Sequence, residues 1–169
     1  MNAEIQFYSY RYTEKRTYLA ASLFAAGNLI LPQIFHLFPQ GGMIWLPIYF
    51  FTLVGAYKYG WKVGLMVALC SPLLNSVLFG MPLPSALPAI TTKSVLLAVG
   101  AGFAANRFRK ISIPILTAVI LFYQLSGTLA EWAFSGSLHQ ALQDFRIGLP
   151  GMFLQATGGY FCIRYLLRR

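Results

Sequence analysis

The sequence predicts an all-α integral membrane protein with six transmembrane helices and both termini on the cytoplasmic side. Three observations point there. The 169-residue chain is 57% hydrophobic and 10% charged, whereas soluble domains are about 25% charged. Its apolar runs are cut at short intervals by turns, and a bilayer core about 30 Å thick needs about 20 helical residues per crossing. The basic residues cluster at alternate turns. Arg11, Lys15, Arg16, Lys58, Lys62, Arg107, Arg109, Lys110, Arg164, Arg168 and Arg169 all fall on one side of a six-span arrangement. Arg146 alone falls opposite, and Lys93 lies within a span. The positive-inside rule makes the crowded side cytoplasmic, in a multi-pass protein of the cell (cytoplasmic) membrane.

Residues 1–16 read as a polar cytoplasmic or interfacial segment, with Phe7, Tyr8, Tyr10 and Tyr12 suited to a headgroup region. Residues 17–169 form a single membrane domain. Its spans are Thr17–Leu37, Met43–Tyr57, Trp61–Phe79, Leu87–Ala105, Ile111–Phe134 and Leu149–Leu167. The second is tilted or starts in the preceding loop. The turns between them are Pro39-Gln40-Gly41-Gly42, Lys58-Tyr59-Gly60 and Gly80-Met81-Pro82-Leu83-Pro84, then Arg107–Lys110. Ser135–Gly148 reads as a polar loop or surface helix. A cleaved signal peptide is the rival reading of the first span, but that run is long and five similar runs follow. Pro32, Pro47, Pro72, Pro88 and Pro114 predict kinks whose freed carbonyls need partners from neighbouring helices or a ligand.

Other function classes find little support. The net charge of +9 is spread between apolar runs, so it reads as topology information, not as a nucleic-acid face. Cys70 and Cys162 sit in apolar runs as small buried hydrophobes, without metal-ligand spacing. No metal or cofactor is implied. His36 with Ser71 or Ser126 lacks any GxSxG or HExxH context, so the chain is read as non-enzymatic.

Depth within the spans singles out the candidate binding residues. Asn28 falls mid-span, with His36 outward of it. Trp45 and Tyr49 lie in the outer part of the second span, and Asn75 in the outer half of the third. Thr92 and Lys93 follow in the fourth. Gln124, Thr128 and Glu131 make an i, i+4, i+7 stripe on the fifth. Gln155 in the sixth and Arg146 in the last loop complete the set. The inner half instead holds small residues: Ala21 with Ala25, Gly60 with Gly64, Ala98 with Gly102, and Gly158 with Gly159. The pattern describes a polar chamber open to the outside above a closely packed base. Polar groups in spans also serve as plain interhelical glue, worth about 0.6 kcal/mol each. Lys93 and Glu131 demand more, because a mid-membrane charge costs about 2.5–3.5 kcal/mol on insertion scales. Lys93 has two candidate partners, Glu131 or the carboxylate of a bound ligand.

The runs ILPQIFHLFPQGG, LPIYFFTLVGAYKYGWKVGL and SPLLNSVLFGMPLPSALPAI, with GLPGMFLQ at Gly148–Gln155, resemble the substrate-binding S components of energy-coupling factor (ECF) vitamin transporters. The resemblance runs from Thr17 to the end and rests most on Gly80-Met81-Pro82 after Ser71-Pro72-Leu73-Leu74, and on Gly55, Gly60 and Gly64. It implies an outward-facing vitamin pocket and delivery across the membrane with a membrane coupling (T) subunit and two ATPase subunits. It also implies docking of the coupling subunit through Ala21 and Ala25. Such proteins tend to carry His near Ile48–Tyr49 and an acid near Lys93; here the positions are apolar or aromatic and basic. The ligand class left open is a carboxylate-bearing vitamin such as biotin, lipoate, nicotinate or pantothenate. The alternative is a non-transporting six-helix scaffold for cell-envelope proteins. No GxxxxGK[ST] loop is present to cradle a nucleotide, so energy for transport must come from partners.

Overall fold

A computed structural model describes residues 7–167, and all regular structure among them is helical. The helices are α1 (Lys15–Phe35), α2 (Gly41–Trp45), α3 (Phe50–Tyr59), α4 (Trp61–Phe79), α5 (Leu87–Phe108), α6 (Ile113–Ser135), α7 (Leu138–Ile147) and α8 (Leu149–Leu167). Four of them, α1, α4, α5 and α6, are long and apolar enough to cross a membrane. Leu19, Leu23, Val77, Phe103, Leu129 and Phe153 point outward from the bundle and are more than half exposed, as a lipid-facing surface requires. The expected helix starts hold to within two residues. Arg168 and Arg169 lie outside the described residues, as does part of the N-terminal segment.

The expected second span is a broken helix. Pro47 disfavours the α conformation at Leu46, which turns to φ 47°, and a 3-10 turn at Pro47–Tyr49 then leads into α3. The break leaves backbone groups that water cannot reach. The Leu46 carbonyl accepts from Gln155 Nε2 at 3.3 Å, and the Phe51 N–H, an orphan of the first turn of α3, donates to Asn28 Oδ1 at 3.0 Å. Helix α8 comes this close because residue 151 is glycine: a Cβ there would lie 2.5 Å from the Trp45 backbone.

Pro32 creates the same problem inside α1. Its missing N–H leaves the Asn28 carbonyl without its intrahelical donor, and Asn75 Nδ2 of α4 supplies one at 2.9 Å. The Asn28 side chain meanwhile donates to Thr52 Oγ1 at 3.0 Å and to Ser71 Oγ at 3.3 Å. Thr52 and Ser94 hydroxyls lie 3.4 Å apart. One buried asparagine thereby joins α1, α3 and α4, and through Thr52 reaches α5.

The opposite end is built from small residues. Gly60, at φ 97°, makes the α3–α4 turn in a conformation that L side chains rarely adopt. A Cβ at Gly64 would collide with Ala56, and one at Gly102 would press on the Trp61 backbone. Residues 7–10 lie across this turn: Tyr8 N donates to the Lys58 carbonyl at 3.0 Å and Tyr10 N to that of Tyr59 at 3.3 Å. Tyr8 and Tyr10 stack on Tyr59, with Lys58 Nζ 4.8 Å from the Tyr8 ring centre. Burial raises the Tyr10 phenol above its ordinary value, and neighbouring Tyr8 adds to the shift.

Two expectations are corrected by packing. Ala21 is 5% exposed and belongs to the core, while Ala25 is half-buried; Ala21 thus offers no free surface to a partner. Cys70 is exposed on the outer face of α4 and Cys162 is only partly buried.

Asn28→Ala should lower stability by about 2–3 kcal/mol, because it strands the Phe51 N–H and removes two interhelical bonds. Thr52→Val should cost less, since Asn28 Nδ2 keeps Ser71. Thermal unfolding of both variants in detergent tests the order.

Candidate functional site

A cavity of about 740 Å³ opens at the end of the bundle opposite the small-residue base, within the ~300–1,000 Å³ range of small-molecule sites. The C-terminal end of α1, the 37–42 turn, α2 and the break wall one side. The α4–α5 loop, the first turn of α5, the outer end of α6 and one face of α7 wall the other. Most of the walls lie where a helix ends or begins: α1 after Pro32, the break at Pro47, α4 before Gly80, α5 after Ala86 and α6 before Gly136. Most of the surface is apolar, from Pro32, Leu46, Ile48, Met81, Leu83 and Ile90 among others.

Four of the expected binding residues line it: His36, Tyr49, Asn75 and Glu131. His36 is exposed at the rim. Tyr49 and Asn75 are 2% and 1% exposed and form the floor. The Tyr49 ring lies 5.3 Å from that of Tyr123, whose hydroxyl donates to Gln155 Oε1 at 3.0 Å. Gln155 is therefore held by Tyr123 and the Leu46 carbonyl, and acts by fixing the floor. Asn28 lies beneath Asn75 as its backbone acceptor.

Lys93 is the informative case. Its ammonium lies 2.6 Å from Glu131 Oε2; the two side chains are 0% and 14% exposed. The lysine stem fits because residue 127 on α6 is glycine: a Cβ there would collide with Lys93 Cγ. Of the two candidate partners, the internal one is in place. Glu131 reaches the cavity surface and Lys93 does not.

The remaining candidates stand apart from the cavity. Gln124 and Thr128 lie on the same stripe as Glu131 but deeper, and neither the Gln124 amide nor Thr128 Oγ1 has a hydrogen-bond partner among the described residues. Trp45 packs on Phe35 at 5.7 Å, Thr92 is half-buried on α5, and Arg146 is exposed on α7. Sequence depth missed Gln40, Gln140 and Gln143, which all line the cavity. The signal was available for two of them: residues 138–147 form an amphipathic helix capped by Ser137 Oγ, which accepts from Gln140 N at 3.4 Å. Gln140 and Gln143, three apart, share its face.

Comparison of the chain with family models, curated proteins and solved structures returned no match.

Lys93→Met and Glu131→Gln should each destabilise the protein by breaking the Lys93–Glu131 pair, by up to about 3–5 kcal/mol, and the double variant should recover part of that loss. Thermal unfolding of the three variants checks it. Gln124→Met, which removes buried polar atoms without partners among the described residues, should leave stability unchanged or raise it by about 1 kcal/mol.

Proposed function

We propose that this protein captures a small vitamin-like molecule from outside the cell and delivers it inward, as the S component of an ECF-type transporter. In this reading the chain crosses the membrane six times, with α2–α3 and α8 adding two crossings to the four long helices. Both ends are cytoplasmic. The observation that carries the proposal is the placement of the cavity. It opens where α1, α4 and α6 end and α5 begins, whereas Lys15, Lys58, Lys62, Arg107 and Arg164 lie at the other ends of α1, α4 and α5 and at the ends of α3 and α8, and Lys110 just precedes α6. A site of this size with few polar groups suits one small molecule held by shape and by a few directed bonds.

The base supports the second half of the proposal. Closely packed small residues make one end rigid, and the outer face of α1 there presents Ser22, Ala25 and Ala26. A coupling subunit needs such a low-relief helix face to approach closely. The docking residues are therefore placed around Ala25, with Ala21 serving internal packing.

Two experiments test this reading. In a background lacking Cys70 and Cys162, a membrane-impermeant thiol reagent should modify Ser137→Cys in intact cells and leave Asn106→Cys untouched; the reverse result would invert the site. Ala25→Leu should abolish co-purification with the coupling and ATPase subunits while a bound small molecule is still detected by native mass spectrometry. Ala21→Leu should instead lower the unfolding temperature. A protein that never carries a small molecule and never associates with ATPases is a scaffold, not a carrier.

A further inference from the structure

The charge arrangement at the cavity narrows the ligand, given the binding role proposed above. Glu131 Oε2 is engaged by Lys93, whereas Oε1 accepts no hydrogen bond from a described residue, and the side chain lines the cavity. Lys93 is sealed behind it at 0% exposure. The other polar side chains on the wall are the amides of Gln40, Asn75, Gln140 and Gln143 and the phenol of Tyr49, with His36 at the exposed rim. Arg146 is exposed on α7 and does not line the cavity. A ligand in this cavity therefore faces the Glu131 carboxylate, with Lys93 sealed behind it.

We propose that the cavity selects a ligand that carries no negative charge and presents N–H or O–H donors to Glu131. A carboxylate brought to the same wall would lose its hydration, face a like charge, and find no buried cation to replace the water. A donor group gains a charge-assisted hydrogen bond from an acceptor already oriented by its ion pair. Lys93 then serves as a positioning residue: its ion pair keeps the Glu131 carboxylate aimed, and Gly127 gives it the room to do so. The expected carboxylate-bearing vitamins are replaced by their uncharged counterparts.

The test uses matched pairs that share a body and differ in charge: nicotinate and nicotinamide, lipoate and lipoamide, biotin and its primary amide, pantothenate and pantothenol. Each is titrated calorimetrically against the purified full chain, and native mass spectrometry identifies any molecule retained from the membrane. For a pair whose body fits, the uncharged member should bind at least about tenfold tighter than the acid, and a retained molecule should lack an acidic group. Tighter binding of an acid, or retention of a carboxylic acid, overturns the inference while leaving the carrier reading standing. Silence of all pairs with nothing retained overturns both. Exchanging the pair, Lys93→Glu with Glu131→Lys, brings an ammonium to the wall and should invert the preference towards the acid. Should that protein not assemble, Lys93→Met with Glu131→Gln carries the same test, because it should reduce the preference to near parity. An unchanged preference in either double variant overturns the assignment to Glu131.

Discussion

Everything in this bundle depends on one requirement: a backbone group freed inside a low-dielectric layer must find a partner within the protein. Pro32 and Pro47 each violate helical continuity, and both violations are met by amide side chains from other helices. Asn75 answers for the Asn28 carbonyl, Asn28 for the Phe51 N–H, and Gln155 for the Leu46 carbonyl. Amides suit the task because each has donors and an acceptor on one short arm. The result is that α1, the α2–α3 break, α4 and α8 are positioned relative to one another by directed bonds as well as by packing.

Those same breaks make the cavity. A helix that ran straight through Leu46 would cover Tyr49 and bring Gly151 and Gln155 against a continuous cylinder, leaving no wall of loops. Stopping α2 at Trp45 and restarting at Phe50 turns the chain aside and opens space above Tyr49 and Asn75. Functional geometry and proline strain thus have a common origin here. At the other end the glycines and alanines act oppositely, drawing α3, α4 and α5 together until Ala56, Ala98 and Trp61 touch the glycine backbones. One end is irregular and hollow; the other is regular and dense.

The Lys93–Glu131 pair shows how the two regions meet. An ammonium at 0% exposure is tolerable only with a close counter-charge, and α6 provides both the carboxylate at residue 131 and the missing side chain at residue 127. The pair closes the seam between α5 and α6 and also sets the sign of the cavity wall. That sign is decided by which member points inward, and the reach of the lysine stem across Gly127 leaves Glu131 at the surface.

The sequence by itself determined the helical, membrane-embedded class, the helix ends at Trp61, Phe79, Leu87 and Leu149, and the crowding of polar groups away from the basic turns. These follow from local physics: apolar run length, proline and glycine chemistry, and charge next to a bilayer. It also marked Pro32 and Pro47 as sources of freed carbonyls. Only the tertiary structure decided who answers them, because an amide on one helix reaches a carbonyl on another through packing that no spacing encodes. For the same reason depth alone placed Gln124, Thr128 and Arg146 in the site, whereas the cavity is lined by Gln40, Gln140 and Gln143 from a turn and a surface helix. Likewise the small-residue stripe at Ala21 and Ala25 recorded close approach but not to what, and Ala21 packs inside the bundle. Lys93 had two possible partners in the sequence; packing brings it to Glu131, and the glycine opposite its stem makes room for that contact.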